Sequence, residues 1–328
     1  CTYHKTVMGM METGVLHAPR LAVTTSCACD GNLSTFRQLG QRMGVPMVLL
    51  DVPYDNDDAS VDYLAEQLRE LTRTLEELTG VPFDENRLSH LLEVERETNA
   101  LAWEFMRLQA EHFYPAEFIH HLFFVLAMQL SAGSEELRDL LRFMVDDIKR
   151  APRLTGDKIL WVHLMPYYQQ SLKAAFDYSP THQIVAVDMA FCTMSDLTDA
   201  DPFRALAKKL IDNAMNGPYE RKLALADRLL DATHADGVIH FCHWGCKQSA
   251  GGSALLREHL HEAGVPLLQL DGDGIDERNS HDGQIKTRLE AFFEVLKAKR
   301  AEGTAQGGTA SGECTVQGGT AETKGGAR

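Results

Sequence analysis

The sequence lacks any hydrophobic run long enough to cross a membrane. Its longest apolar stretch, residues 118–130, covers about thirteen residues and contains His120, His121 and Gln129, whereas a bilayer span requires roughly 20. We therefore predict a buried helix here and no membrane partner. No basic segment followed by an apolar one opens the chain, so secretion is not indicated; residue 1 is Cys rather than Met, and we expect the natural N-terminus to precede it.

Basic residues are also scarce. The 328 residues include 32 Lys plus Arg against 47 Asp plus Glu, which gives a formal net charge of -15. A surface that binds nucleic acid phosphates or anionic lipids is therefore not expected. Hydrophobic residues make up 44% and charged residues 24% of the chain, which excludes a disordered or fibrous protein and is typical of a globular one long enough for two cores.

Cysteines are too few for a disulfide scaffold, and their spacing is uneven. The seven are Cys1, Cys27, Cys29, Cys192, Cys242, Cys246 and Cys314. Two close pairs, Cys27 with Cys29 and Cys242 with Cys246, lie far apart in the chain, which suggests that they share a ligand. This usage favours a reduced, cytoplasmic compartment.

Apolar patterning divides the chain into four parts and predicts the α/β class. Residues 1–57 contain a strand, a helix and a strand, which is typical of a parallel sheet. Residues 58–150 are almost wholly helical in pattern, with a helix cap at Asp84. Residues 151–300 show four strand signals separated by helices and favour an open doubly wound sheet. Residues 301–328 are dominated by Gly, Thr and Ala and predict a flexible tail.

Both cysteine pairs follow predicted strands. Cys27 and Cys29 come after an apolar run that ends at Ser26, and Cys242 and Cys246 flank the end of another strand. Ligands in open α/β sheets bind outside the carboxyl ends of strands, so we expect the pairs to face one another across a cleft. Inert buried thiols and zinc are the alternatives, although structural zinc ligands usually lie within one small module. Thiolates gathered from several strand ends suit an iron–sulfur cluster.

Several sequence segments resemble one known family. They are residues 1–5 (CTYHK), 26–31 (SCACDG), 48–54 (VLLDVPY), 241–249 (FCHWGCKQS), 264–279 and 283–292. Together they resemble the 2-hydroxyacyl-CoA dehydratase and benzoyl-CoA reductase family, of the 2-hydroxyglutaryl-CoA dehydratase D-component type. The resemblance covers about residues 1–300 and is most specific in the C-terminal segments.

The resemblance implies two doubly wound, flavodoxin-like or Rossmann-like α/β domains with a helical connecting region. It also implies one [4Fe-4S] cluster held by Cys1, Cys29 and Cys246, with Cys27 and Cys242 as alternate ligands. Three protein ligands leave one iron open to water or to a substrate oxygen. A double-cubane [8Fe-9S] cluster, which six cysteines hold in related proteins, is the alternative; its sixth ligand would be Cys192 or a residue of a preceding segment.

The implied reaction removes water from an (R)-2-hydroxyacyl-CoA. The β-hydrogen is too weakly acidic for an ordinary base, so in similar enzymes one electron converts the thioester to a ketyl radical, which expels the hydroxyl group. The implied partners are a homologous second subunit and an ATP-hydrolysing iron–sulfur activator, because this chain has no G-x4-G-K-[ST] loop. A benzoyl-CoA or double-cubane reductase and a non-catalytic cluster-binding accessory protein are the alternatives.

Residues around the third cysteine are further candidates. His243 and Lys247 are expected to hold the thioester oxygen or to tune the cluster by hydrogen bonding, with a structural role as the alternative. Gly251 and Gly252 are expected to let backbone N–H groups approach the cluster or an anionic CoA group. The acidic run 271–277 predicts strand-end and helix-cap contacts, since it lacks the Glu that ends a calcium loop.

Overall fold

The computed structural model describes residues 1–308, and the side chains of residues 1–302. Residues 301–308 continue the last helix, although the sequence predicts a flexible tail from residue 301 onwards. The rest of that predicted tail, with Cys314, lies outside the described residues.

A strand–helix–strand unit follows the first helix, α1 (Thr2–Glu12), as predicted. Strand β1 (Ala22–Thr25) leads into α2 (Asp30–Met43), and β2 (Met47–Leu50) pairs with β1 in parallel. Helix α2 ends where Gly44 adopts a left-handed backbone with φ of 65°, a conformation that Gly takes without steric cost. This turn lets the chain enter β2 beside β1.

Four long helices form the middle of the chain. They are α3 (Asp58–Thr79), α4 (Glu85–Gln109), α5 (Phe118–Leu130) and α6 (Glu135–Ile148). Asp57, Asp84 and Ser134 cap α3, α4 and α6 by accepting hydrogen bonds from backbone N–H groups of the first turn, which confirms the predicted cap at Asp84. Among the helices of the described chain, none combines the length and the apolar character that a bilayer crossing needs.

The C-terminal part alternates strands and helices. It contains β3 (Asp157–Val162), α7 (Gln170–Phe176), β4 (His182–Val187), α8 (Pro202–Ile211), α9 (Glu220–Thr233), β5 (Gly237–His243), α10 (Lys247–Ala250), α11 (Ser253–Glu262), β6 (Leu267–Gly272) and α12 (Asp282–Gly308). The strands are parallel and lie in the order β4-β3-β5-β6. The chain leaves β3 first towards β4 and later returns to the opposite side as β5, so the topological switch point lies between β3 and β5. Ligands bind at the carboxyl ends of strands at such a point.

Two cores hold these parts together. The larger one surrounds the C-terminal sheet, where Trp161 of β3 and Phe241 of β5 are fully buried. The smaller core packs Leu50 of β2 against Leu64 of α3 and Phe203 of α8. Helix α8 therefore ties the N-terminal sheet to the C-terminal part of the chain.

The α/β class with parallel sheets is confirmed. The strand order of the C-terminal sheet is that of a doubly wound sheet. The N-terminal sheet contains two strands within the described residues. The second doubly wound domain that the resemblance implies is therefore not seen in this part of the chain.

Candidate metal centre

Three cysteines lie immediately before three helices. Cys1 precedes α1, Cys29 precedes α2 and Cys246 precedes α10, and none of their sulfurs accepts a hydrogen bond from its own helix. The N-terminal end of a helix favours negative charge. A metal-bound cysteine is a thiolate, so these positions suit sulfurs that bind a metal.

The same three cysteines line one cavity of about 400 Å³. Its walls are loop and helix residues and are formed by Cys1, His4, Ser26, Ala28, Cys29, Asp30, Gly31, Tyr54, Met215, Asn216, Gly217, Gly245, Cys246, Lys247 and Gln248. Cys1, Cys29 and Cys246 are partly exposed, whereas the other cysteines of the described chain are buried. Cys29 of the first predicted pair and Cys246 of the second therefore line the cavity, whereas Cys27 and Cys242 do not.

A tight turn at Ala28 separates Cys27 from Cys29. The φ angle of Ala28 is 67°, in the left-handed region that residues with a Cβ rarely adopt. The N–H of Cys29 donates to the carbonyl of Cys27 over 2.8 Å, and the side-chain amide of Gln248 donates to the carbonyl of Ala28 over 2.8 Å. Cys29 thus lines the cavity, while Cys27 is 5% exposed and packs in the smaller core. Burial raises the pKa of the Cys27 thiol to about 11.

Cys242 and Cys192 are buried thiols outside the cavity. Cys242 lies within β5 and donates to the carbonyl of Ser249 over 3.6 Å, and Cys192 donates to the carbonyl of Met189 over 3.4 Å. Burial raises the pKa of each thiol to about 12. The described chain therefore brings three cysteines to the cavity, fewer than the six that hold a double-cubane cluster.

His243 contacts the first of these cysteines rather than the third. The ring is fully buried at the end of β5, and its Nε2 lies 3.2 Å from Sγ of Cys1. The backbone N–H of Gly274 donates to Nδ1 over 2.9 Å, and Tyr3 packs edge-on against the ring. Burial lowers the pKa of His243 from its usual 6.5. The ring therefore lies behind Cys1 and is not part of the cavity wall.

Lys247 lies in the cavity wall with a largely exposed side chain. It forms an ion pair with Asp30, the first residue of α2, and this hydrogen-bonded pair raises the pKa of Lys247. Exposed pairs of this kind contribute little to stability. The pair therefore places one ammonium group and one carboxylate in the cavity wall.

Two histidines that the sequence analysis did not single out approach the other two cysteines. Nε2 of His4 lies 3.5 Å from Sγ of Cys29, and Nε2 of His163 lies 3.7 Å from Sγ of Cys246. His4 fits against residue 31 because that residue is Gly; a Cβ there would overlap the ring. The CTYHK motif contains His4, but only the pairing of β3 with β5 brings His163 to the site.

The two glycines after α10 allow close packing. Neither Gly251 nor Gly252 lines the cavity. A Cβ on Gly252 would overlap the ring of Tyr219, and one on Gly251 would lie 2.6 Å from the carbonyl oxygen of Lys247. Tyr219 and the backbone of α10 thus fill the space where these side chains would lie, and the expectation that the glycines admit backbone N–H groups to a cluster or to CoA stays a prediction.

Asp273, which directly follows β6, connects that strand to α1 by a hydrogen bond. Its carboxylate is 2% exposed and accepts hydrogen bonds from the Thr2 hydroxyl and from the backbone N–H groups of Ile275 and Asp276. Burial alone would raise the pKa of Asp273, but these hydrogen bonds outweigh burial and hold the pKa at about 2. Asp276 accepts a hydrogen bond from the N–H of Arg278 and caps the next turn. The acidic run thus makes the turn and cap contacts that the sequence predicts.

Three thiols around one partly open cavity suit an iron–sulfur cluster. Within the described part of the chain, no three His, Cys, Asp or Glu side chains are grouped to hold a single metal ion. The cysteines of a cluster bind separate irons, so they stand further apart than the ligands of one ion. The chemistry of the donor set of Cys1, Cys29 and Cys246, three thiols, fits such a cluster.

Known proteins match the chain along most of its length. Residues 1–296 match the family described as 2-hydroxyglutaryl-CoA dehydratase, D-component. Relatives include the (R)-phenyllactyl-CoA dehydratase alpha subunit of Clostridium sporogenes, 22% identical over 92% of this chain and 77% of the relative. The (R)-2-hydroxyisocaproyl-CoA dehydratase alpha subunit of Clostridioides difficile is 22% identical over 92% of this chain and 78% of the relative. A benzoyl-CoA reductase subunit of Thauera aromatica is 23% identical over 92% of this chain and 77% of the relative. The chain therefore belongs to the 2-hydroxyglutaryl-CoA dehydratase D-component family, a family of dehydratase-type enzyme subunits, as the sequence resemblance predicts.

Proposed function

We propose that this chain is the iron–sulfur subunit of a 2-hydroxyacyl-CoA dehydratase, which eliminates water from an (R)-2-hydroxyacyl-CoA. The observation that carries the proposal is that Cys1, Cys29 and Cys246 line one cavity at the carboxyl ends of strands from both sheets. The dehydratase alpha subunits among the relatives support the reaction type.

In this proposal the three cavity cysteines hold a [4Fe-4S] cluster, with Cys29 rather than Cys27 as the second ligand. When bound, the cluster supplies one electron to the thioester and receives it back after the hydroxyl group has left, so that no base has to remove an unactivated β-hydrogen. The residues of this chain bind and orient the substrate. Tyr54 and Asn216 provide polar groups in the cavity wall, and Lys247 adds a cation that would pair with an anionic group of CoA.

We further propose two protein partners. The relatives named as alpha subunits support a homologous second subunit. These 328 residues contain no P-loop for ATP hydrolysis, and in this proposal the first electron comes from a separate protein. An ATP-hydrolysing iron–sulfur activator would supply this electron.

An anaerobic activity assay tests the proposed reaction. The chain, its partner subunit and the activator are combined with ATP, a reductant and a panel of (R)-2-hydroxyacyl-CoA esters, and products are identified by mass spectrometry. We expect ATP-dependent loss of one water molecule. Cys246→Ser should abolish the activity, while Cys242→Ser, a matched change of a buried cysteine on the adjoining strand, should retain most of it. Undiminished dehydration by Cys246→Ser would contradict the proposal.

A reductase is the second candidate, because the benzoyl-CoA reductase subunit of Thauera aromatica is as similar to this chain as the dehydratase subunits are. The same assay with aromatic acyl-CoA esters distinguishes the two reactions. Addition of two hydrogen atoms to an aromatic ring would identify a reductase, whereas loss of water identifies a dehydratase. A protein that retains its cluster and converts neither substrate class would favour the accessory role.

A further inference from the structure

Each candidate ligand cysteine is approached by the Nε2 atom of one histidine. The N···S distances are 3.2 Å between His243 and Cys1, 3.5 Å between His4 and Cys29, and 3.7 Å between His163 and Cys246. The histidines come from three separate elements: the end of β5, the first turn of α1 and the residue after β3. Three independent contacts of one kind at one cavity call for a common explanation.

Backbone contacts fix which nitrogen carries the proton in two of these rings. The N–H of Gly274 donates to Nδ1 of His243 over 2.9 Å, and the N–H of Leu164 donates to Nδ1 of His163 over 2.8 Å. A backbone N–H donates and does not accept, so Nδ1 is unprotonated in both rings. The single ring proton is therefore on Nε2. Both rings direct an N–H donor at a cysteine sulfur.

The surroundings hold these rings in place. His243 is fully buried and His163 is 4% exposed, so the rings themselves have little or no contact with water. His163 has a φ of 76° in the strained left-handed region, and its backbone N–H donates to the carboxylate of Asp188 over 2.6 Å. Strain of this kind is concentrated at functional sites. His4 is less enclosed, and its Nδ1 lies 2.9 Å from the hydroxyl of Thr35.

We propose that His163 and His243 are positioning residues that donate N–H···S hydrogen bonds to the cysteines they contact and thereby raise the reduction potential of the cluster. This inference rests on the proposed function, because it requires a cluster on these thiolates. Reduction adds negative charge to the cluster and its sulfurs, and a hydrogen-bond donor stabilises the more negative state more strongly. The effect is greater at a buried site, where water screens the charge less.

An EPR-monitored redox titration of the anaerobically purified holoprotein, in complex with its partner subunit, tests this role. His163→Met and His243→Met remove the donor, whereas His163→Gln and His243→Gln keep an amide N–H near the position of Nε2. We expect each Met variant to bind the electron about tenfold less tightly. For a one-electron couple this equals a decrease of about 59 mV in the reduction potential of the cluster. Each Gln variant should recover most of this loss.

His240→Met is the matched control. His240 is fully buried on the same strand as His243, and its Nδ1 lies 3.7 Å from the sulfur of Cys242, outside the cavity. We expect the wild-type potential in this variant. Unchanged potentials in the Met variants at residues 163 and 243 would overturn the inference. Equal shifts in the Met, Gln and control variants would also overturn it, because they would indicate a general packing effect.

Nuclear magnetic resonance of the metal-free full chain tests the hydrogen-bond geometry without a cluster. Long-range 1H–15N spectra distinguish the two neutral tautomers, and the Gln variants assign the signals. We expect the proton of both rings on Nε2 at neutral pH; a proton on Nδ1 of either ring would overturn the inference. A wild-type protein that binds no cluster would instead contradict the proposed function itself. The two failures are therefore distinguishable.

Discussion

Ala28 determines which of two neighbouring thiols faces the cavity. Two cysteines stand where the resemblance implies the second ligand, so the sequence left Cys27 and Cys29 as rival ligands. The left-handed backbone at Ala28 turns the chain between them. The sequence did not indicate this turn, because Ala has no preference for a positive φ.

Substitutions of Ala28 should show the strain in this turn. Ala28→Gly should change the free energy of unfolding by less than about 0.5 kcal/mol, since relief of strain is offset by the greater freedom of Gly in the unfolded chain. Ala28→Val should lower it by about 1–2 kcal/mol, because a β-branched residue fits the left-handed region poorly. Urea unfolding of the metal-free protein measures both values. Equal stabilities of the two variants would contradict a strained turn.

Asp273 should make stability depend on acid pH. Its pKa of about 2 in the folded protein lies below the usual 3.8, so its stabilising contribution is fully present at neutral pH and is lost as the pH falls from about 4 through about 2. By linkage this contribution is roughly 2 kcal/mol. Asp273→Asn should therefore lower the free energy of unfolding by that amount at neutral pH, and the difference from wild type should narrow below about pH 4.

Urea denaturation over a series of pH values measures this difference. Asp271→Asn is a suitable control, because its carboxylate lies in the same acidic run but is about half exposed, at 48%. It should change the free energy of unfolding by less than about 0.5 kcal/mol. A difference between Asp273→Asn and wild type that stays constant from neutral to acid pH would refute the assigned role of Asp273.

Most helices and strands could be predicted from periodicity and capping residues. The strand, helix and strand predicted within residues 1–57 are observed as β1, α2 and β2, and the four strands predicted within residues 151–300 are observed as β3 to β6. These elements are marked locally by apolar spacing and by their caps. The convergence of His163 on Cys246 was not predicted, because it depends on the pairing of β3 with β5, which are distant in sequence.

The junction between α10 and α11 depends on Gly252. Because a Cβ at this position would overlap the ring of Tyr219, Gly252→Ala should lower the free energy of unfolding by about 1–3 kcal/mol. It should also shift α10, and with it Cys246, so we expect less bound iron. Gly283→Ala, in α12, meets no atom within 4 Å of its Cβ and should be neutral or stabilising by up to about 1 kcal/mol. Thermal or urea unfolding compares the two variants, and equal effects would contradict this explanation.

The molecule as a whole brings distant parts of the chain to one cavity. Cys1 and Cys29 belong to the N-terminal part, and Cys246 follows a strand of the C-terminal sheet. The smaller core, with its contacts between α3 and α8, joins the two parts. Arg204 of α8 also forms an ion pair with Asp58 of α3. The resemblance predicted these ligand positions from motifs, and the fold supplies the physical reason that they meet.

Iron and acid-labile sulfide should be counted per chain after anaerobic purification of the wild type, Cys27→Ser, Cys29→Ser and Cys246→Ser. We expect about four of each in the wild type and in Cys27→Ser, and loss of the cluster in Cys29→Ser and Cys246→Ser. About eight irons per chain would instead indicate a double-cubane cluster. A wild-type chain without iron, or full iron in Cys29→Ser together with loss in Cys27→Ser, would contradict a cluster held by Cys1, Cys29 and Cys246.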